Sequence, residues 1–168
     1  MAAVLLVAVG VLLLVYAQAW RGIEAILSGQ AIELFTGQIT EAVPASDMLI
    51  LYENNAVETI FVLTNECSVA YLLAALFIGG APLMLLRQLN PWRTATAIGV
   101  TATILMLVNI GRVTAIAATV SGFGIDPGLT IAHTYFGSFL TVVGTCAAGL
   151  VFAAVLVGRR RSGRPALG

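Results

Sequence analysis

Charge is what this chain has least of. Only 10% of its 168 residues are charged, against about 25% in an ordinary soluble domain. With 60% of residues apolar and a mean hydropathy of +1.01, the apolar surface exceeds what a soluble core absorbs, and lipid is the expected solvent. Histidine occurs once and cysteine twice. One histidine, without carboxylates clustered in the apolar stretches, is too few ligands for a catalytic metal centre. No basic patch accompanies the acidic segments, so nucleic acid is not an expected partner. Internal repeats and low-complexity linkers are absent, which points to one domain. No cofactor is implied.

What is present is length without charge. Four stretches reach the ~20 residues needed to cross a ~30 Å hydrocarbon layer: roughly 2–20, 68–86, 94–119 and 131–157. The first lacks a basic start and is longer than the ~7–15 residues of a signal-peptide core, so it reads as a retained span. The fold class expected is an all-α membrane protein with about four transmembrane helices. A structured exterior segment lies between the first and second. Four units follow in order: an N-terminal span over 1–20, an exterior segment over 21–66, a three-helix core over 67–157 and an Arg-rich tail over 158–168.

The charges are sorted by sign. All eight acidic residues fall within 21–66 and 120–130, whereas Arg87, Arg93, Arg159, Arg160, Arg161 and Arg164 lie elsewhere. Arg-rich loops stay on the cytoplasmic side. Both termini are therefore expected inside a plasma membrane, with the acidic segments and Cys67 outside. The Arg tail would also touch anionic lipid headgroups. Only Arg21 and Arg112 break the pattern.

Segment 21–66 is too long for a plain connector. Ile23, Ile26, Leu27, Ala31, Leu34 and Phe35 recur at helical spacing, which predicts an amphipathic helix on the outer surface or prolonging the first span. Pro44 ends that pattern. "MLILYENNAVETIFV" then reads either as two strands around Glu53-Asn54-Asn55 or as a loop on the bundle. "RQLNPWR" is a tight inside turn, and "SGFGIDPG", with three glycines and a proline, reads as an exterior loop.

Few polar residues stand in or beside the spans. Arg112 is the most informative, because a charge at the centre of a span costs about 2.5–3.5 kcal/mol and usually marks function. Snorkelling to the outer interface is its bland reading. Cys67 stands at the outer start of the second span, where a helix dipole favours thiolate; a small buried hydrophobe is its bland reading. His133 is the only side chain whose ordinary pKa suits proton transfer near neutrality. Asn109 lies one turn before Arg112 and could orient a partner or bond a neighbouring helix. Ser68 suits a helix cap, and Glu66 either holds His133 or Arg112 or stays solvated. Depth joins three of these. Residues 67 to 87 descend ~30 Å and residues 93 to 112 climb ~28 Å, so Cys67 and Arg112 return to one level, where His133 begins the last span. Nucleophile, base and positive group together have the logic of an activated thiol. Cys146 lies ~20 Å deeper than His133, too far to bridge Cys67. With no C-x-x-C, a quinone-linked disulfide oxidoreductase is excluded.

These residues carry a resemblance to the exosortase/archaeosortase transpeptidases. "ECS" (66–68) resembles that family's nucleophile motif, "NIGR" (109–112) its Asn-x-x-Arg, and "HTYFG" (133–137) its His-x-x-x-Gly. The family commonly has Gly after Cys-Ser, where this chain has Val69. The match covers roughly residues 44–157. The resemblance implies catalytic Cys67, Arg112 and His133, supported by Asn109, Glu66 and Ser68. It implies as substrate an exported protein with a C-terminal hydrophobic sorting signal, cleaved through a thioester and passed to an acceptor amine, on a lipid or elsewhere, or to water. A non-enzymatic subunit of a membrane complex is the alternative from another class, and a lipid or acyl transferase would share the thiol chemistry.

Overall fold

Long apolar runs without proline or charge can satisfy their backbone groups in lipid only as helices, and helices dominate this chain. The computed structural model describes residues 2–53, 56–87, 91–132 and 137–157. Helix α1 (Ala2–Val15) ends at Tyr16, where the chain bends by 76° into α2 (Ala17–Thr36). Gly37 stops α2 in the left-handed region at φ 73°, its N–H bonded to the Glu33 carbonyl at 3.0 Å, as helix-ending glycines do.

Three antiparallel strands follow in the order β1 (Ile39–Val43), β2 (Met48–Glu53) and β3 (Ala56–Val62). A 3-10 turn over Pro44–Ser46 joins β1 to β2, and a second over Asn65–Cys67 leads to α3 (Ala70–Arg87). Helix α4 (Pro91–Phe123) has 33 residues and is ~50 Å long, well beyond a ~30 Å hydrocarbon layer. Gly124, at φ 81°, turns the chain into the short α5 (Ile125–Ile131), and α6 (Ser138–Val157) completes the described chain.

The length of α4 lets it serve separate cores along its course. Its first half joins a helical bundle, in which α1 packs along α3 and α6 along α4. Val69, Leu73, Leu105 and Ala148 meet there, with Leu13, Trp20 and Phe77 against them. Its second half rises into a cap built from α2 and the sheet. Ala25 and Ile32 of α2, Leu49 and Leu51 of β2, Leu63, and Val113 and Ala117 of α4 form that core. Leu49 and Leu51 are fully buried, each worth about 1.5–3 kcal/mol over exposure. Alternate strand residues point to one face, which is why 49 and 51 enter the core and 50 does not.

Several expectations change. The chain is mostly helical, as expected, but carries a small three-stranded sheet and so is not purely α. The strand pair around residues 53–55 forms as one reading held, and β1 adds a third strand where helix was expected to run on to Pro44. The "SGFGIDPG" segment is largely helical rather than a loop, divided between the end of α4 and α5. The amphipathic helix exists as α2. Its buried side carries Gly22, Glu24, Ala25, Ser28, Gly29 and Ile32, and Ile23, Ile26, Leu34 and Phe35 face outward, as an outer-surface helix would have them. Among the described residues two helices, α4 and α6, are long and apolar enough to cross a membrane, or three if the bent α1–α2 pair is one span. Four were expected. The bend at Tyr16 divides the first stretch, and among the described residues of α3 the apolar helix is traced over Ala70–Pro82.

Candidate active site

The turn that carries Cys67 is braced by its own backbone. The Cys67 N–H bonds the Thr64 carbonyl at 2.9 Å, and the Ser68 N–H reaches the Asn65 carbonyl at 3.4 Å. The Thr64 hydroxyl lies 3.6 Å from the Cys67 sulfur in hydrogen-bonding geometry, placing a donor beside the thiol. Cys67 is half-buried and unbridged. Ser68 Oγ accepts the Ala70 N–H at 3.2 Å, satisfying one of the orphan donors at the start of α3.

Behind this turn lies a small cleft of about 30 Å³. Ser68, Asn109 and Arg112 supply polar lining, Val69, Leu72, Leu105 and Val108 an apolar wall, and Thr141 and Thr145 of α6 a hydroxyl edge. Elements far apart in sequence meet here because α3 descends from the turn and α4 climbs back beside it. Arg112 is 8% exposed and Asn109 4%. The Asn109 side-chain nitrogen is buried with no hydrogen-bond partner among the described residues. An unpaired buried donor is costly, and here it belongs to a residue lining the cleft.

Gly137 completes the surroundings of Arg112. A Cβ built on Gly137 would stand 3.2 Å from Arg112 Nε and 3.5 Å from Nη2. The missing side chain is what lets the guanidinium lie against the backbone just before α6. Among the described residues no three His, Cys, Asp or Glu side chains group as metal ligands would.

Of the residues singled out from sequence, Ser68, Asn109 and Arg112 share this cleft. Cys67 directly precedes Ser68 but is not among the lining residues. His133 lies outside the described residues, as does the side chain of Glu66. Sequence reading missed Thr64, whose hydroxyl has no signature of its own, and the cleft threonines of α6, which look like ordinary residues of an apolar span. It also missed Glu24. That side chain is fully buried against the turn, and Glu24 Oε1 accepts the Val69 N–H at 2.9 Å and the Trp20 indole N–H at 3.1 Å. Burial pushes its carboxyl above the usual carboxylate range. The Val69 N–H, the Ser68 hydroxyl, the Trp20 indole and the Arg21 charge pull the other way without prevailing. One clue existed, since Arg21 of the same helical turn departs from the sorting of charges.

The family model for the transmembrane exosortase (Exosortase_EpsH) matches residues 1–153 of the chain. Comparison with curated proteins and with solved structures finds no match.

Proposed function

Because the chain belongs to the transmembrane exosortase family, we propose that it is a membrane-embedded cysteine transpeptidase acting on exported proteins that end in a hydrophobic sorting signal. Cys67 Sγ attacks the scissile carbonyl just outside the hydrocarbon layer. The thiol proton passes to His133, and the tetrahedral oxyanion is met by Arg112 and the Asn109 amide. The C–N bond then breaks, His133 returns the proton to the leaving amine, and a thioester remains on Cys67. An acceptor amine, on a lipid or another molecule, attacks that thioester and releases the anchored product, restoring the thiol. Water in the acceptor's place gives hydrolysis. On this reading the cap and the Cys67 turn lie on the outer face, both termini lie inside, and α1, α3, α4 and α6 all cross the membrane.

The observation that supports the reading best is convergence. Ser68 from the first motif and Asn109 and Arg112 from the second line one cleft, and Gly137 from the third lies against the Arg112 guanidinium. The cleft has both polar and apolar lining, which suits a scissile bond next to a hydrophobic helix.

The test compares protein C-termini, by mass spectrometry, in cells carrying the wild-type chain, Cys67→Ala or Arg112→Ala. A set of exported proteins should lose their hydrophobic tails only with the wild-type chain. Identical C-termini in all three strains would overturn the peptidase and favour a non-enzymatic subunit.

A further inference from the structure

Helix α2 touches the Cys67 turn at two points, one on each side of the cysteine. Arg21 Nη1 donates to the side-chain oxygen of Asn65, two residues before Cys67. Glu24 Oε1 accepts the backbone N–H of Val69, two residues after it, at 2.9 Å. Arg21 and Glu24 stand three apart on α2, and residues at that spacing share a helix face. The two contacts therefore come from one rigid surface and straddle the nucleophile.

Each contact is anchored behind. Arg21 Nε pairs with Asp47 Oδ2 at 2.9 Å, both side chains largely buried. Asp47, just before β2, is in a left-handed conformation, φ 54°, and its carbonyl accepts the Leu63 N–H at 2.8 Å. The guanidinium thus links α2, the sheet and the turn. Glu24 is held by the Trp20 indole on its own helix, and its side chain is fully excluded from water. Packing allows this approach because Gly22, between the two, lies against Pro44. A Cβ there would meet Pro44 Cβ at 2.9 Å and Cα at 3.3 Å.

A carboxyl group buried at that cost needs more explanation than a cap. Ser68 already satisfies the Ala70 N–H, so Glu24 fixes the backbone between the cysteine and the helix. We infer that Arg21 and Glu24 form a two-point clamp that positions the Cys67 turn, and are positioning residues for the reaction. The inference rests on Cys67 being the nucleophile proposed above. A turn held only by its own short 3-10 bonds would let the sulfur drift, and misplacement of ~1 Å is enough to cost about a hundredfold in rate.

Pulse-chase of the proteins whose tails persist with Cys67→Ala tests the clamp. Asn65→Ala, Arg21→Gln and Glu24→Leu are each expected to slow tail removal at least fivefold. Glu24→Gln keeps an oxygen for the Val69 N–H and should stay within twofold of wild type. Asn65→Ala combined with Arg21→Gln should be no slower than the slower single variant, because both cut the same contact. Asn65 is exposed, so Asn65→Ala should melt within about 2 °C of wild type in detergent while still losing rate. Wild-type rates in Asn65→Ala and Arg21→Gln, or losses no larger than the loss of folded protein, would overturn the clamp. Equal slowing by Glu24→Gln and Glu24→Leu would remove Glu24 from it. If no tail depends on Cys67, the transpeptidase reading itself fails, and that result is separate from the others.

Discussion

Glu24 carries its carboxyl where water does not reach, and the cost has a sign. Desolvation raises its pKa, so the fold prefers the protonated form. That contribution is fully present below the ordinary carboxylate value and is lost as pH rises through the raised one. Glu24→Gln, neutral at every pH, should therefore melt above wild type at pH 8, with the gap closing as pH falls toward 4.5, the ordinary value. Thermal unfolding in detergent across that range checks it, and a gap independent of pH would contradict it. Gly137 supplies the second case at this scale. In Gly137→Ala the new methyl group meets the guanidinium at 3.2 Å, closer than comfortable contact. Arg112 has to shift by a few tenths of an ångström, and geometry at a reacting centre is sensitive to such shifts. Tail removal should fall about tenfold, while stability changes by about 1 kcal/mol or less. Unchanged processing would show that the guanidinium position is not critical.

Helix α2 shows how much of an element spacing alone can give. Its apolar spacing is visible in Ile23, Ile26 and Leu34, which are exposed as an outer-surface helix requires, and the opposite side packs on the sheet and α4. Periodicity reports that two faces differ and does not say which partner each face meets. In a membrane protein lipid competes with the core for the apolar side. Leu34 and Phe35 are 79% and 78% exposed, and the outward stripe is expected to rest on the bilayer interface. Leu34→Trp should then emit at short wavelength and be quenched by brominated lipid; long-wavelength emission quenched from water would contradict this. The strands divide in the same way. β2 and β3 were legible because Leu49, Ile50, Leu51 and Thr59, Ile60, Phe61 are rich in residues that suit a pleated surface. β1 was hidden, since Ile39–Val43 is short, carries Glu41, and gains its order by pairing with β2. The end of α4 was hidden by its glycines. Gly122 is tolerated inside the helix, and only Gly124 takes a positive φ.

At the scale of the whole molecule, α4 ties a lipid-facing bundle to a cap with a core of its own. The Cys67 turn sits between them, next to a cleft lined by residues of α3, α4 and α6. Much of this was available from sequence through counting. The rise per residue along 67–87 and 93–112 brings the first and second motifs to one depth, and Ser68, Asn109 and Arg112 do share a cleft. What counting could not supply was the reach of α2 back to the turn. Arg21 and Glu24 lie more than forty positions from Asn65 and Val69, and no spacing rule connects them.

The central claim is that Cys67 forms a thioester with the protein it processes. The most direct measurement isolates the chain from membranes at mild pH and weighs it intact, before and after hydroxylamine. A hydroxylamine-labile adduct on the Cys67 peptide, absent from Cys67→Ala, is the expected result. An unmodified Cys67 in wild type, together with tail removal that continues in Cys67→Ala, would contradict the account.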